Sequence, residues 1–133
     1  MMVTQARYSI STRLPLPYDE ALQRVKDALK QEGFGVLTEI DVKKTLREKL
    51  GTDFRRYDII GACNPQLAHR ALQAELDIGL LLPCNVVVYE DDGGSVVAAF
   101  DPEAAMGLAE NPGLSEIARE AKERLVRALE KVG

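Results

Sequence analysis

The chain has 133 residues and a mass of 14.6 kDa, enough for one hydrophobic core and too short for two. Hydrophobic residues are 46% and charged residues 29%, which excludes a disordered chain and removes any need for a disulfide or metal to hold the fold. A net charge of −4, 5% aromatics and no Trp argue against a nucleic-acid partner or an anionic membrane surface.

The N-terminal MMVTQARYSI lacks a charged stretch leading into an apolar one, so no signal peptide is expected. The longest apolar run, Ile78 to Leu82 and then Val86 to Tyr89, is broken by Pro83 and Asn85. It falls well short of the ~20 residues of a spanning helix. Cys63 and Cys84 are the two cysteines, and an acidic chain with so few suggests a reducing, cytoplasmic setting.

In chain order, residues 7–14 alternate as a half-buried strand, with Tyr8, Ile10 and Thr12 on one side. Pro15 and Pro17 end it. Residues 18–32 carry Ala21, Leu22, Val25, Ala28 and Leu29 at helical spacing, and Gly33 stands where a helix-ending glycine belongs. Residues 34–40 read as a second strand. Asp41 then caps a short helix with Val42, Leu46 and Leu50 every fourth residue, closed by Gly51.

Residues 57–63 read as a third strand. Asn64 followed by Pro65 starts a helix that runs to about Leu76. Residues 78–82 form a buried loop or short strand. Val86 to Glu90 and Ser95 to Phe100 flank Asp91-Asp92-Gly93-Gly94, a hairpin signal. Residues 103–109 suit a helical turn. From Leu114 onward an apolar stripe through Ile117, Ala121, Leu125 and Leu129 marks the longest helix, with Glu120–Arg124 and Glu123–Arg127 as i,i+4 pairs. The order predicts a single α+β domain over 1–133, with a mainly antiparallel sheet and long helices packed on one face.

Few motifs carry chemistry. Gly33-Phe34-Gly35 lacks the third glycine of a dinucleotide fingerprint and follows a helix instead of preceding one. There is no phosphate loop and no nucleophile elbow. Cys63-Asn64-Pro65 and Pro83-Cys84-Asn85 invite a thiol reading in which Cys63, Cys84 and His69 form a metal site or a Cys–His pair. The spacing lacks a CxxC, and buried structural cysteines, with Asn64 capping a helix and Asn85 serving a turn, account for the same residues. His69, the only histidine, is expected half-buried at the edge of its helix's apolar face.

Residues 42–56 hold six cations, including Lys43, Lys44, Arg47, Arg55 and Arg56, against two carboxylates. This local +4 makes an anion site or a solvated face. Glu39 and Asp41 end the second strand and form a carboxylate pair that acid–base chemistry could use, although an N-cap is the simpler role for Asp41.

Three stretches, EGFGVLTEIDVKKTL, YDIIGACNPQLAHRAL and GLLLPCNVVVYED, together resemble domain-of-unknown-function family 302 from about Tyr8 to Leu129. The resemblance implies a small α+β fold similar to the TATA-binding-protein-like arrangement, an antiparallel sheet with helices packed on it. The family brings no established activity, so no catalytic residue or cofactor follows from it. It draws attention to Cys63, Asn64, His69, Cys84 and Asn85 as the neighbourhood of a ligand pocket. The function expected is a small ligand-binding or assembly module; a thiol- or metal-dependent enzyme or sensor is the alternative.

A homodimer is also expected. Val86 to Tyr89 and Val96 to Phe100 make both faces of the hairpin apolar. The long helices cover one face. The other needs the short helices at 42–50 and 65–76, or a second subunit.

Overall fold

A computed structural model describes the protein over residues 3–132. Strands β1 (Thr4–Gln5) and β2 (Ser9–Leu14) precede helix α1 (Tyr18–Gln31). Then come β3 (Gly35–Asp41), α2 (Val42–Leu50), β4 (Tyr57–Cys63) and α3 (Pro65–Ala74). A 3-10 turn over Leu76–Leu81 leads to β5 (Cys84–Asp91) and β6 (Gly94–Phe100). Helix α4 (Pro102–Gly107), a second 3-10 turn (Pro112–Leu114) and α5 (Ser115–Val132) complete the chain.

The six strands form one open antiparallel sheet in the order β1-β2-β6-β5-β4-β3, with the helices on one side. Period-two alternation decides which side chains face the helices. Ile10 and Leu14 of β2, Ile60 and Ala62 of β4, Val86 and Val88 of β5, and Val97 and Ala99 of β6 are all buried there. Helices α1 and α5 pack on each other and on this face, contributing Val25, Leu29, Leu125 and Leu129. Full burial of a leucine contributes on the order of 2–3 kcal/mol. A second cluster joins the first half of α5 to α3, α4 and the 3-10 turn through Ile117, Leu67, Ala71, Met106 and Ile78.

Local signals account for the element ends. Gly33 takes φ +85° after α1, and the Phe34 amide returns to the Leu29 carbonyl at 2.9 Å while its ring fills the core. Asp92 and Gly93 both have positive φ (45° and 76°), which matches the right-handed twist of the β5–β6 hairpin.

Several expectations are corrected. β2 starts at Ser9, and its buried set is Ile10, Thr12 and Leu14; Tyr8 is exposed. The segment expected as a buried loop or strand is the 3-10 turn, in which only Ile78 is buried while Leu76 and Leu80 are exposed. α3 stops at Ala74, and His69 sits on its exposed side. Glu120–Arg124 forms at 3.2 Å, but the Arg127 guanidinium turns to Glu32 at 3.1 Å instead of to Glu123.

Candidate functional site

The ladder register sorts the CNP and PCN residues. β4 pairs with β5 so that Ala62 lies opposite Cys84 and Gly61 opposite Asn85. Successive side chains point to opposite faces. Cys84 therefore shares the helix-covered face with the buried Ala62, and Asn85 faces the uncovered side. Asn64 caps α3, its Oδ1 accepting the Leu67 N–H at 3.2 Å.

Cys63 and Cys84 line one shallow dimple together with Phe34, Ala62, Leu82 and Met106. Its volume of about 20 Å³ has room for a single water. His69 is absent from the lining, so the dimple holds the two thiols without the imidazole. Both cysteines are free. Burial pushes the Cys63 thiol up, and burial followed by the neighbouring Cys63 pushes Cys84 up to about 11. That is the opposite of what a nucleophilic thiolate needs. Among the described residues, no group of three or more His, Cys, Asp or Glu side chains is placed to hold a metal ion.

The basic segment does not converge. Lys43 bonds Asp53 at 2.9 Å and the Phe54 carbonyl at 2.7 Å, and Arg47 reaches the same Asp53 at 3.5 Å. Arg55 turns to Asp91 at 3.3 Å. Arg56 pairs with Asp19 and lies 4.5 Å over the Tyr18 ring. Lys44 gives its backbone N–H to Asp41 at 2.9 Å, the N-cap expected from sequence. Four of the five cations are thus spread over three different carboxylates of the same chain.

The larger concavity is on the uncovered face of the sheet. A groove of about 540 Å³ runs across the open side of β2, β6, β5 and β4. Tyr8, Tyr57, Tyr89 and Phe100 supply its rings, and Val87 and Ala98 form its floor. Tyr57 and Tyr89 are ladder partners whose rings stack with centroids 5.4 Å apart and an 8° interplanar angle. Ser9, Ser11 and Asn85 add polar atoms, and no charged residue lines the groove. Burial, then the neighbouring Tyr89 and Tyr8, raises the Tyr57 hydroxyl above its ordinary range, so it remains a hydrogen-bond donor at neutral pH. Of the residues expected at a pocket, only Asn85 belongs to this groove. The signal that could have found it is the second apolar phase of the hairpin, Val87, Tyr89, Ala98 and Phe100. Neither α2 nor α3 supplies any of its lining.

A second polar cluster lies under α1. Glu39 and Asp41 do not stand as a simple pair: Asp58 on β4 joins them, directly across the ladder from Asp41. The Tyr18 hydroxyl donates to Asp58, and Lys26 holds Glu39 at 2.7 Å. Burial and the hydrogen bond with Glu39 raise the Asp58 carboxyl, while that bond and Lys26 lower Glu39. One proton shared between two carboxyl groups satisfies both shifts. The sequence marks Asp58 as a charged residue in the buried phase of a strand, two positions before Ile60. Neither the groove nor the dimple is lined by any residue of this cluster, which ties α1 to β4 and β3.

An open antiparallel sheet with helices on one side and an uncharged aromatic groove on the other defines a small α+β protein of unassigned chemistry. Residues 10–132 match the family described as "Domain of unknown function DUF302", and the chain belongs to that family. Among solved structures it is similar to an uncharacterised conserved DUF302 protein from Bacillus stearothermophilus, at 36% identity and a TM-score of 0.90, over 96% of this chain and all of that one. No curated protein matches the chain. No helix among the described residues is long and apolar enough to cross a membrane.

Proposed function

We propose that this protein is a small-molecule binding module whose site is the groove on the open face of the sheet, and that it takes an uncharged, largely apolar ligand. The uncharged aromatic lining carries this reading. Ligand sites are typically ~300–1,000 Å³, mainly apolar, with a few polar groups to fix orientation. The groove combines about 540 Å³ with four aromatic rings, two serines and one asparagine. Without Lys or Arg in the lining, an anion or a nucleic-acid backbone gains no ionic contact there. A TATA-binding-protein-like arrangement would therefore carry architecture here and not nucleic-acid recognition. The two free thiols suit a cytoplasmic setting. Nothing in the geometry favours the thiol or metal enzyme, and the dimple between the cysteines is too small for a metabolite.

The test uses an uncharged solvatochromic dye such as Nile red. Saturable binding with a blue-shifted emission is expected for the native chain. Ala98→Glu, which places a carboxylate in the groove, should abolish binding with the far-ultraviolet circular dichroism unchanged. Cys84→Ser should leave it intact. A dye that fails to saturate, or that binds the Ala98→Glu protein equally well, would overturn the proposal.

A further inference from the structure

Beyond the groove, exposed large hydrophobic residues concentrate in the stretch of chain that holds the edge strand β3 and helix α2. Five of the nine exposed large hydrophobic residues, Val36, Leu37, Ile40, Leu50 and Phe54, fall within residues 36–54. Their exposed fractions are 39%, 66%, 48%, 70% and 39%. β3 is the outermost strand and pairs only with β4 among the described strands, so its other row of backbone N–H and C=O groups faces outward. All seven of its residues are exposed. Helix α2, which contacts both β3 and β4, buries none of its residues although Val42, Leu46 and Leu50 form an apolar stripe.

We infer that this edge, β3 with Leu50 and Phe54, docks a second copy of the same chain, the two β3 strands pairing antiparallel about a two-fold axis. Three arguments favour a second copy. An antiparallel strand edge is self-complementary under a two-fold, so one patch supplies both halves of the contact. The five side chains expose on the order of 400 Å² per copy, or ~800 Å² over two copies before the strand backbones are counted, close to the ~1,000 Å² a specific interface needs. The two carboxylates of β3 are already occupied: Glu39 is held by Lys26 at 2.7 Å, and Asp41 caps α2. The bulge between Val36 and Thr38 turns Leu37 outward from the regular ladder, where it can meet its counterpart. The inference rests on the β3 edge and the α2 segment, not on the ligand proposed for the groove.

Light scattering behind size exclusion, with the full chain across the micromolar range, provides the test. A mass of two chains is expected. The double variant Leu37→Lys, Leu50→Lys should fall to one chain with unchanged circular dichroism, since both side chains are exposed and their loss does not touch the core. Hydrogen exchange adds a second reading: amides on the outer side of β3 should exchange several-fold faster in the double variant. A one-chain mass at every concentration would overturn the inference. So would a dimer that survives the double variant, or one that is split only by Val87→Lys on the open face.

Discussion

Tyr18, the first residue of α1, donates its hydroxyl to the buried carboxyl of Asp58 near the start of β4, and the same oxygen lies 3.1 Å from the Val88 carbonyl. One phenol thus ties the start of a helix to two adjacent strands. Asp58 is 8% exposed. Tyr18→Phe removes its donor while keeping the ring, and should cost about 1–3 kcal/mol, the penalty for an unsatisfied buried acceptor. Urea unfolding at neutral pH measures it; a loss below a few tenths of a kcal/mol would show that water replaces the phenol.

The same carboxyl predicts a pH dependence. Its folded-state pKa is raised, so the native state holds its proton more tightly than the unfolded chain does. That contribution is complete below the ordinary aspartate value of ~3.9 and is lost as pH rises through the folded value. Asp58→Asn keeps an acceptor for Tyr18 and removes the titration. Its urea midpoint should therefore gain on the wild type as pH rises above the ordinary carboxylate range. Parallel pH profiles for the two proteins would contradict the shared proton.

Glu32 works in the opposite direction. Its carboxylate, 7% exposed, receives Lys131 at 2.6 Å and Arg127 at 3.1 Å, and these bonds lower its pKa. The resulting stability is present above the ordinary glutamate value and is lost as pH falls through the folded one. Glu32→Gln should cost about 1 kcal/mol at neutral pH, because both cations are half exposed and screened. The melting temperatures of variant and wild type should converge only as pH falls below the ordinary glutamate value and through the lowered folded one.

The thiols should be slow. With Cys84 raised to about 11 and Cys63 also raised by burial, alkylation by iodoacetamide at neutral pH should run well below the rate of free cysteine at both sites. The Cys84 rate should still be climbing at pH 10. A plateau below pH 8 at either cysteine, read by peptide mass spectrometry, would return thiol chemistry to consideration.

Among the glycines of the sheet, Gly61 has the least room for a side chain. A Cβ there would lie 2.2 Å from Thr38 Oγ1 and 2.8 Å from Pro83 Cγ, so no side chain fits between β3 and the residues leading into β5. Gly61→Ala should destabilise by about 1–3 kcal/mol through overpacking. Adding Thr38→Ala should recover part of that loss, because it removes the nearer of the two clashes.

Much of the fold was legible because local chemistry and tertiary structure agree. Asn64-Pro65, Asp41, Gly33, Gly51 and Asp92-Gly93 each sit where their backbone preferences place them, and β4 and α2 span the residues read from sequence. The misses arose where tertiary position overrides local pattern. Residues 78–82 have the composition of a strand, yet they connect α3 to β5 along the protein's margin, where a 3-10 turn leaves Leu76 and Leu80 in solvent. The two-residue β1 carries no periodicity to detect. The candidate site was less legible. Cys84 and Asn85 are neighbours in sequence, but a strand sends neighbours to opposite faces, and only the ladder register assigns each to its face. Asn85 went to the groove and Cys84 to the dimple on the helix-covered face.

The order of strands also sets an order in time. β3 to β6 are laid down consecutively, each beside the one before it, so their pairings close only short or helix-filled loops. β2 instead pairs with β6, Ser9 against Phe100, and must close a loop of most of the chain. Loop-closure entropy grows with that separation, and such contacts slow folding. We expect the central hairpin and its neighbours to assemble first and the amino-terminal strand to add last. Val88→Ala should therefore slow refolding, whereas Ile10→Val should act mainly by speeding unfolding. Stopped-flow chevrons of the two variants distinguish this from simultaneous assembly, in which both would shift the folding limb alike.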